Sequence, residues 1–276
     1  MKSLINLFRN DYNKKYLIFA ILRFCEWKII RILRIKNYKK QFWGRYFVIN
    51  YDSFQCMWLY YNYLVDFEEF NLIQDISKSD SVMFDVGANM GFYGLWMSKF
   101  IGKDGSVHCF EPSTDTYNRL QKNWNLNQIS ISANYILNNI AIGDTVGNSS
   151  ISKGRDGENH LVIGDVKESD SHFVKVITID NYCEVNNIKY IDYLKIDIEG
   201  FELFALKGAE NMLKNKKIGI IQIEINETVS NSKTEVNDLL NFINNSGYRL
   251  ARYDVYNKEL QYIDYTKARE NYFLIN

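Results

Sequence analysis

The chain has 276 residues, of which 46% are hydrophobic and 15% aromatic, and its 33 Lys/Arg balance 33 Asp/Glu. This composition excludes an intrinsically disordered chain, because it supplies ample apolar surface for a buried core. The length accommodates one large domain, or one domain with an appendage. The balanced total hides an uneven split: residues 1–45 carry twelve Lys/Arg and two acids, a net charge of +10, so the remainder carries about −10.

The four cysteines are scattered along the chain without paired spacing, which favours a reducing compartment and argues against a zinc site. We predict no secretory signal, because no uncharged apolar core leads into a small-residue cleavage site. The longest uncharged stretch of the N-terminal part, Tyr16–Leu22, has seven residues, whereas about 20 are needed to cross a bilayer. We therefore expect a cytoplasmic protein.

Residues 14–36 predict a basic amphipathic helix. At about 100° per residue, charged and apolar side chains fall on opposite faces. The charged face holds Arg23, Glu26, Arg31 and Arg34, and the apolar face holds Leu17, Phe24, Ile32 and Ile35. Two roles stay open for this helix. It packs on the main domain or on a second subunit of a homo-oligomer, or it lies on an anionic surface such as the inner membrane.

Residues 42–80 are rich in aromatic side chains and predict a short extended piece followed by a helix near 54–77. An aromatic stripe favours core packing, although this one could also roof a pocket. Ser77–Ser81 is a polar turn and predicts a boundary. We divide the chain into a helical N-terminal extension, residues 1–80, and a main domain, residues 81–276.

From residue 82 onward, strand and helix patterns alternate, which predicts a doubly wound α/β domain. The apolar runs at 82–86, 191–196 and 218–223 lack clean alternation, as is typical of parallel strands covered on both faces. Residues 143–170 are polar and predict a hairpin-like excursion. A helix is predicted at 234–245, closed by Gly247.

Polar side chains follow the ends of the predicted parallel strands, where an open sheet binds its ligand. They are Asp85, Glu111, Asn139, Asp197, Glu199 and Glu224. Five acids at one rim disfavour a pyrophosphate and suit a ligand with a cationic centre, an ammonium group and a ribose diol. Glycines in the first turn let such a ligand approach bare backbone.

The turn departs from the dinucleotide fingerprint. After Gly87 that pattern needs glycine at 89 and 92, where this chain has Asn89 and Phe92. The pattern here is Asp-x-Gly-x-Asn-x-Gly, with an acid before the first glycine. An NAD-dependent oxidoreductase on a Rossmann fold is therefore the weaker alternative.

The motifs DVGANMG, FEP, NNIAIGD and YLKIDIEGFELFALKGA, taken in this order, resemble the FkbM family of class I S-adenosylmethionine-dependent methyltransferases over residues 66–276. The resemblance implies a Rossmann-like, mostly parallel seven-stranded sheet with an antiparallel last strand and helices on both faces. It also implies S-adenosyl-L-methionine as the cofactor, and methyl transfer that is usually to oxygen.

The resemblance further implies which residues bind the cofactor. They are Asp85, Gly87, Ala88, Asn89 and Gly91 at the methionine part, Glu111 with Pro112 at the ribose hydroxyls, and Asn139, Ile140 and Ala141 at the adenine. Asp197 would lie near the reactive methyl. One departure is that a histidine is expected before the acid ending the fifth strand, where this chain has Gln222-Ile223-Glu224.

Lys195, Asp197 and Glu199 share one face of their strand. Three ionisable groups there are costly to desolvate unless they are paired or functional. A purely structural alternative is a Lys195–Asp197 ion pair, with Glu199 capping the next helix. Methyl transfer from a sulfonium needs an aligned nucleophile and removal of one proton. Asp197 and Glu224 are the candidate catalytic bases.

We therefore predict an O-methyltransferase acting on a hydroxyl of a sugar, a glycan precursor or a small molecule. The alternative is a nucleic-acid methyltransferase that uses residues 1–45 as a basic arm. We expect no nucleic-acid partner, because the acidic main domain would repel phosphates. We predict no metal, although the carboxylates of Asp197, Glu199 and Glu224 would suit magnesium.

Overall fold

The computed structural model describes residues 11–64, 66–152, 161–162, 171–225, 236–267, 269 and 271–276. The helices are α1 Asp11–Lys15, α2 Leu17–Ile32, α3 Phe54–Asn62, α4 Phe67–Ile76, α5 Phe92–Met97, α6 Thr114–Asn127, α7 Ile179–Val185, α8 Glu202–Lys207, α9 Glu210–Lys214 and α10 Val236–Asn245. Much of the predicted excursion at 143–170, and the first two residues of the helix predicted at 234–245, lie outside the described residues.

Strands alternate with these helices along the chain. They are β1 Tyr38–Phe42, β2 Arg45–Ile49, β3 Val82–Val86, β4 Ser106–Phe110, β5 Asn134–Asn138, β6 Ala141–Ile142, β7 Gly147–Ser152, β8 Leu161–Val162, β9 Ser171–Ile177, β10 Ile191–Ile196, β11 Ile218–Glu224, β12 Arg249–Asp254, β13 Glu259–Tyr262 and β14 Asn271–Ile275. Strands β6 to β9 form a separate small sheet, and β1 and β2 form a hairpin.

The main sheet has the order β13-β12-β14-β11-β10-β3-β4-β5. Its strands from β11 to β5 are parallel, and β14, β12 and β13 are antiparallel to their neighbours. One buried cluster includes Leu95 of α5 and Leu120 of α6, and another includes Leu206 of α8 and Ile243 of α10. The α/β class is confirmed, and helices cover both faces of the sheet.

The expected count of seven strands is wrong, because the sheet has eight. The additional strand, β13, pairs with β12 at the sheet edge. The carboxylate of Asp254 holds the turn between them by accepting the N–H groups of Tyr256 at 2.9 Å and Asn257 at 3.0 Å. This turn contains neither glycine nor proline, so Asp254 and Asn257 are its turn-forming residues in the sequence.

The N-terminal part differs from its prediction in two places. The helix predicted at 14–36 is two helices that meet at Tyr16, and the helix predicted near 54–77 is divided into α3 and α4. The second break lies at Tyr63, whose φ of 61° is left-handed and whose carbonyl accepts the indole N–H of Trp43 at 2.7 Å. Its aromatic neighbours continue the apolar pattern and hide the break.

Arg45 fastens this N-terminal part to the main domain. Its buried guanidinium donates to the carbonyls of Leu95 at 3.4 Å and Ser98 at 3.1 Å, and to Ser130 Oγ at 2.9 Å. Buried residues from both parts belong to one cluster. The described N-terminal elements therefore cover one face of the main sheet, which places α3 and α4 beside the carboxyl ends of its strands.

Candidate active site

A glycine turn follows β3 at the centre of the sheet. Gly87 has φ of +79°, and a Cβ on it would lie 1.9 Å from the carbonyl oxygen of Asp197. The N–H groups of Gly87 and Ala88 both donate to the Phe110 carbonyl, at 3.0 and 2.9 Å. Glycine at position 87 thus lets the ends of three neighbouring strands, β10, β3 and β4, come together.

Glu111 follows β4 and is buried beside this turn. Its two carboxylate oxygens accept the N–H groups of Asn89 at 3.0 Å and Ser113 at 2.9 Å. Burial raises the pKa of Glu111 to about 7, although these two amides oppose the shift. A carboxylate has about four acceptor sites, so two remain for donors such as the hydroxyls of a diol.

Lys195 links the turn to the acids at the end of β10. Its buried ammonium lies 3.4 Å from Asp85 Oδ1 and 3.2 Å from Asp197 Oδ2, and it donates to the Gly87 carbonyl at 3.2 Å. It also lies 4.9 Å from the ring centre of Tyr93. Burial opposes its charge, but the carboxylates of Asp197 and Asp85 outweigh burial and raise the pKa of Lys195.

Glu224, at the end of β11, shares a hydrogen bond with Asp197. Burial, with Asp197 and Glu199 nearby, raises the pKa of Glu224 to about 9. The raised pKa favours the protonated form of Glu224, which can donate a hydrogen bond to Asp197. The Asp197 side chain is 42% exposed, so an incoming ligand can reach it.

Gln222 occupies the position where the resemblance leads us to expect histidine. It is buried, accepts the Tyr193 hydroxyl at 2.6 Å and donates to the Tyr93 hydroxyl at 2.9 Å. Tyr93 in turn donates to Asp66 Oδ2 at 2.5 Å. Burial raises the pKa of Asp66, and Asp197 adds to the shift. This chain of hydrogen bonds fixes Asp66 on the wall opposite the strand ends.

The structural alternative for the KIDIEG motif is right for one residue and wrong for another. The Lys195–Asp197 ion pair exists. The turn into α8, however, is held by Glu202, whose Oε1 accepts the N–H groups of Ile198 and Gly200, both at 3.1 Å. Glu199, in a left-handed conformation with φ of 52°, lines the cleft instead.

These elements enclose a cleft of about 300 Å³. It is lined by the predicted cofactor residues Gly87, Ala88, Asn89, Glu111, Pro112, Ile140 and Ala141. It is also lined by Asp66, Lys195, Asp197, Glu199, Gln222 and Glu224. The two predicted catalytic acids thus line the same cleft as most of the predicted cofactor residues.

Three predicted cofactor residues, Asp85, Gly91 and Asn139, do not line the cleft. Asp85 is buried, where it accepts the Gly94 N–H at 3.0 Å and pairs with Lys195. Gly91 has φ of 92° and precedes α5. Asn139 donates its amide to the carbonyls of Glu111 at 2.8 Å and Pro112 at 3.0 Å. These residues support the cleft from behind.

The sequence favoured core packing for the aromatic stripe, but part of this N-terminal segment lines the cleft, which was the alternative left open. Phe54, Gln55 and Trp58 of α3 and Asp66 before α4 all line it. The rings of Phe54 and Trp58 stack with centroids 5.9 Å apart and planes 21° apart. The aromatic stripe was the available signal, but its spacing alone does not distinguish a cleft wall from core.

Asp197, Glu199 and Glu224 each offer one carboxylate oxygen within 4.8 Å of the others. Oxygen ligands of this kind are those that magnesium and calcium prefer. These acids already interact within the protein, however, because Asp197 pairs with Lys195 and Glu224 shares a hydrogen bond with Asp197. The arrangement is therefore already partly neutralised by the protein itself.

A bare turn and buried acids at the ends of neighbouring parallel strands are the features of a Rossmann-like fold. The family profile of the methyltransferase FkbM domain matches residues 85–250. The chain therefore belongs to the FkbM methyltransferase family, as the motifs predicted.

Individual relatives are more distant. Hexuronic acid methyltransferase AglP from Haloferax volcanii is 27% identical over 152 residues, 55% of this chain and 59% of that protein. Methyltransferase 1 from Beauveria bassiana is 27% identical over 150 residues, 48% of this chain and 59% of that protein. The chain thus spans 59% of the length of each relative.

Among solved structures, an rRNA methylase from Streptococcus thermophilus has a TM-score of 0.42 at 11% identity, covering 75% of this chain and 91% of that one.

Replacing Glu224 with Gln should flatten the pH dependence of stability. Between its reference pKa of 4.5 and its folded pKa of about 9, the folded chain holds a proton on Glu224 that the unfolded chain releases. Stability is therefore lost as pH rises through this window, by up to about 1.4 kcal/mol per pH unit. Urea unfolding from pH 5 to 9 should show that the free energy of unfolding falls less steeply with pH in Glu224→Gln than in the wild type. Glu210→Gln, at an exposed acid, should match the wild type, and parallel curves for Glu224→Gln and wild type would contradict this pKa.

Proposed function

We propose that this protein is an S-adenosylmethionine-dependent O-methyltransferase whose acceptor is a hydroxyl of an uncharged sugar or sugar-containing precursor. The observation that carries this proposal is that Glu111 and Asp197 line the same cleft. The surroundings of Glu111 suit a nucleoside with a cationic tail, and Asp197 offers a carboxylate that can remove a proton.

The residues around Glu111 have side-chain and backbone groups that fit the cofactor. Glu111 keeps acceptor sites for the ribose hydroxyls, and binding of two donors would favour its ionised form. The backbone at Gly87, Ala88 and Asn89 would border the methionine part, with Ile140 and Ala141 at the adenine. When bound, the cofactor supplies an electrophilic methyl group next to a cationic sulfur.

Asp197 is our candidate for the general base. Its carboxylate is held by the Lys195 ammonium at 3.2 Å and by the proton of Glu224, yet it stays partly exposed. Glu224 cannot accept a proton at neutral pH, because its pKa of about 9 leaves it protonated. The two acids that the sequence proposed as alternative bases therefore have different roles, since Glu224 orients Asp197.

The other side chains that line the cleft indicate the class of acceptor. Stacked Phe54 and Trp58 offer the electron-rich ring faces on which the C–H groups of a sugar can pack. Among the described lining residues Lys195 is the sole cation, and Asp85 and Asp197 already neutralise it. The name of the Haloferax relative supports a sugar acceptor. The acids of this cleft favour an uncharged sugar over a hexuronic acid, whose carboxylate they would repel.

Replacing Glu111 with Gln should weaken binding of S-adenosylhomocysteine by about 1–3 kcal/mol, because a charged acceptor for the ribose hydroxyls is lost. Isothermal titration calorimetry measures this directly. Asp115→Asn, at an exposed acid, should bind like the wild type. NAD should give no heat of binding. Unchanged affinity in Glu111→Gln would show that the ribose contact is assigned wrongly.

Replacing Asp197 with Asn should slow methyl transfer by at least about a hundredfold, while affinity for S-adenosylhomocysteine changes little. The assay follows labelled methyl transfer from S-adenosylmethionine to neutral hexosides, hexuronic acids and RNA oligomers. We expect neutral sugars to be the best acceptors, with Asp115→Asn as the control. Equal losses of turnover and binding would reject the base, and methylation of RNA alone would reject the acceptor class.

A further inference from the structure

Helix α2 turns two of its charged side chains toward the protein. The Arg23 guanidinium donates to the Tyr60 carbonyl at 3.1 Å and to Asn13 Oδ1 at 2.7 Å. Glu26 accepts the Lys40 ammonium at 2.9 Å and the Tyr60 hydroxyl at 3.2 Å. Part of the predicted charged face is thus used for packing, together with the buried Ala20, Trp27 and Ile30.

The opposite side of α2 is apolar and exposed. Its residues recur at spacings of three and four, which places them on one face. This apolar stripe consists of Ile18, Ile21, Leu22, Cys25, Ile29 and Ile32. Ile18 is 73% exposed and Ile32 is 78% exposed. A surface of large apolar side chains with no charge inside it marks an interaction site.

We propose that the apolar stripe docks the protein on an anionic membrane surface, with α2 lying in the plane of the headgroups. The stripe is bounded by exposed Lys14 and Lys15 at one end and by exposed Arg31 and Arg34 at the other. Apolar side chains between basic ones are the composition that binds anionic lipid. Residues 1–45, which include the stripe, carry the net charge of +10. None of the six residues of the stripe is acidic.

The same charges disfavour a second copy of this chain as the occupant. A two-fold interface would bring the stripe of one copy against the stripe of the other, and the basic residues at its ends would then face basic residues. Among the described residues, no helix is long and apolar enough to cross a membrane. Binding in the interface plane agrees with both observations.

The stripe and the active-site cleft are built on neighbouring helices. Helix α3 packs on α2 through Tyr60, whose ring centre lies 5.3 Å from that of Trp27, and it lines the cleft through Phe54 and Trp58. Docking through α2 would therefore fix how the cleft is oriented toward the membrane. This inference concerns where the enzyme works, and it stands or falls independently of the acceptor.

Cys25 provides a direct probe, because it lies in the stripe and is exposed while Cys56, Cys109 and Cys183 are buried. The full chain is labelled at Cys25 with the environment-sensitive fluorophore NBD and titrated with phosphatidylcholine vesicles, with or without phosphatidylglycerol. We expect blue-shifted, brighter emission with the anionic vesicles and quenching by lipids that carry a spin label in their acyl chains.

The double variant Ile18→Glu/Ile32→Glu should partition into anionic vesicles at least about tenfold more weakly. Two apolar side chains that would be buried in the lipid are replaced by negative charges, which anionic lipid repels. The matched control is Ile129→Glu/Val185→Glu, which adds the same charge at exposed apolar residues outside the stripe, 100% and 75% exposed. It should bind like the wild type. Circular dichroism and binding of S-adenosylhomocysteine confirm that each variant is folded.

Two outcomes would overturn the proposal. The first is a labelled, folded chain whose emission is the same with anionic vesicles as in buffer. The second is dimerisation through the stripe, seen as crosslinking between Cys25 residues of two copies that Ile18→Glu/Ile32→Glu abolishes. Loss of methyl transfer with vesicle binding intact would instead count against the proposed function alone.

Discussion

The candidate active site depends on the ion pairs that the ammonium of Lys195 makes. This ammonium lies between the carboxylates of Asp85 on β3 and Asp197 after β10, and it also donates to the carbonyl of Gly87. Breaking a buried ion pair by removing one partner is costly because the other charge is left without compensation. Lys195 therefore joins two strand ends and the glycine turn in one arrangement, and it holds Asp197 at the edge of the cleft.

Around this ammonium, environment gives similar carboxylates different roles, as in other enzymes that use paired acids. Glu111 is buried but receives two amides, so its pKa of about 7 leaves it ready to ionise when donors bind. Glu224 is pushed to a pKa of about 9 by burial and by neighbouring acids, and it keeps its proton. Asp197 alone combines a cationic partner with substantial exposure.

The sequence predicted where the acids of the site lie, because the carboxyl ends of parallel strands meet at one edge of a sheet. It could not predict that Asp85 and Asn139 act from behind the cleft, since this depends on how β3, β4 and β5 pair. Whether the aromatic stripe lines a pocket or packs in the core stayed open in the sequence, because about 140 residues separate Phe54 from Asp197. The predicted apolar face of α2 is wrong in part, since Phe24 packs against the core whereas Ile18 and Ile29 are exposed. Only the packing of Arg23 and Glu26 shows which face is exposed.

The most direct test is the stability and ligand binding of Lys195→Met. It should lose about 3–5 kcal/mol of unfolding free energy and bind S-adenosylhomocysteine poorly, because Asp85 is left buried without its cation. Adding Asp85→Asn to this variant should restore most of the stability, since the uncompensated charge is removed. If Lys195→Met is as stable as the wild type and binds the ligand equally well, Lys195 does not organise this site.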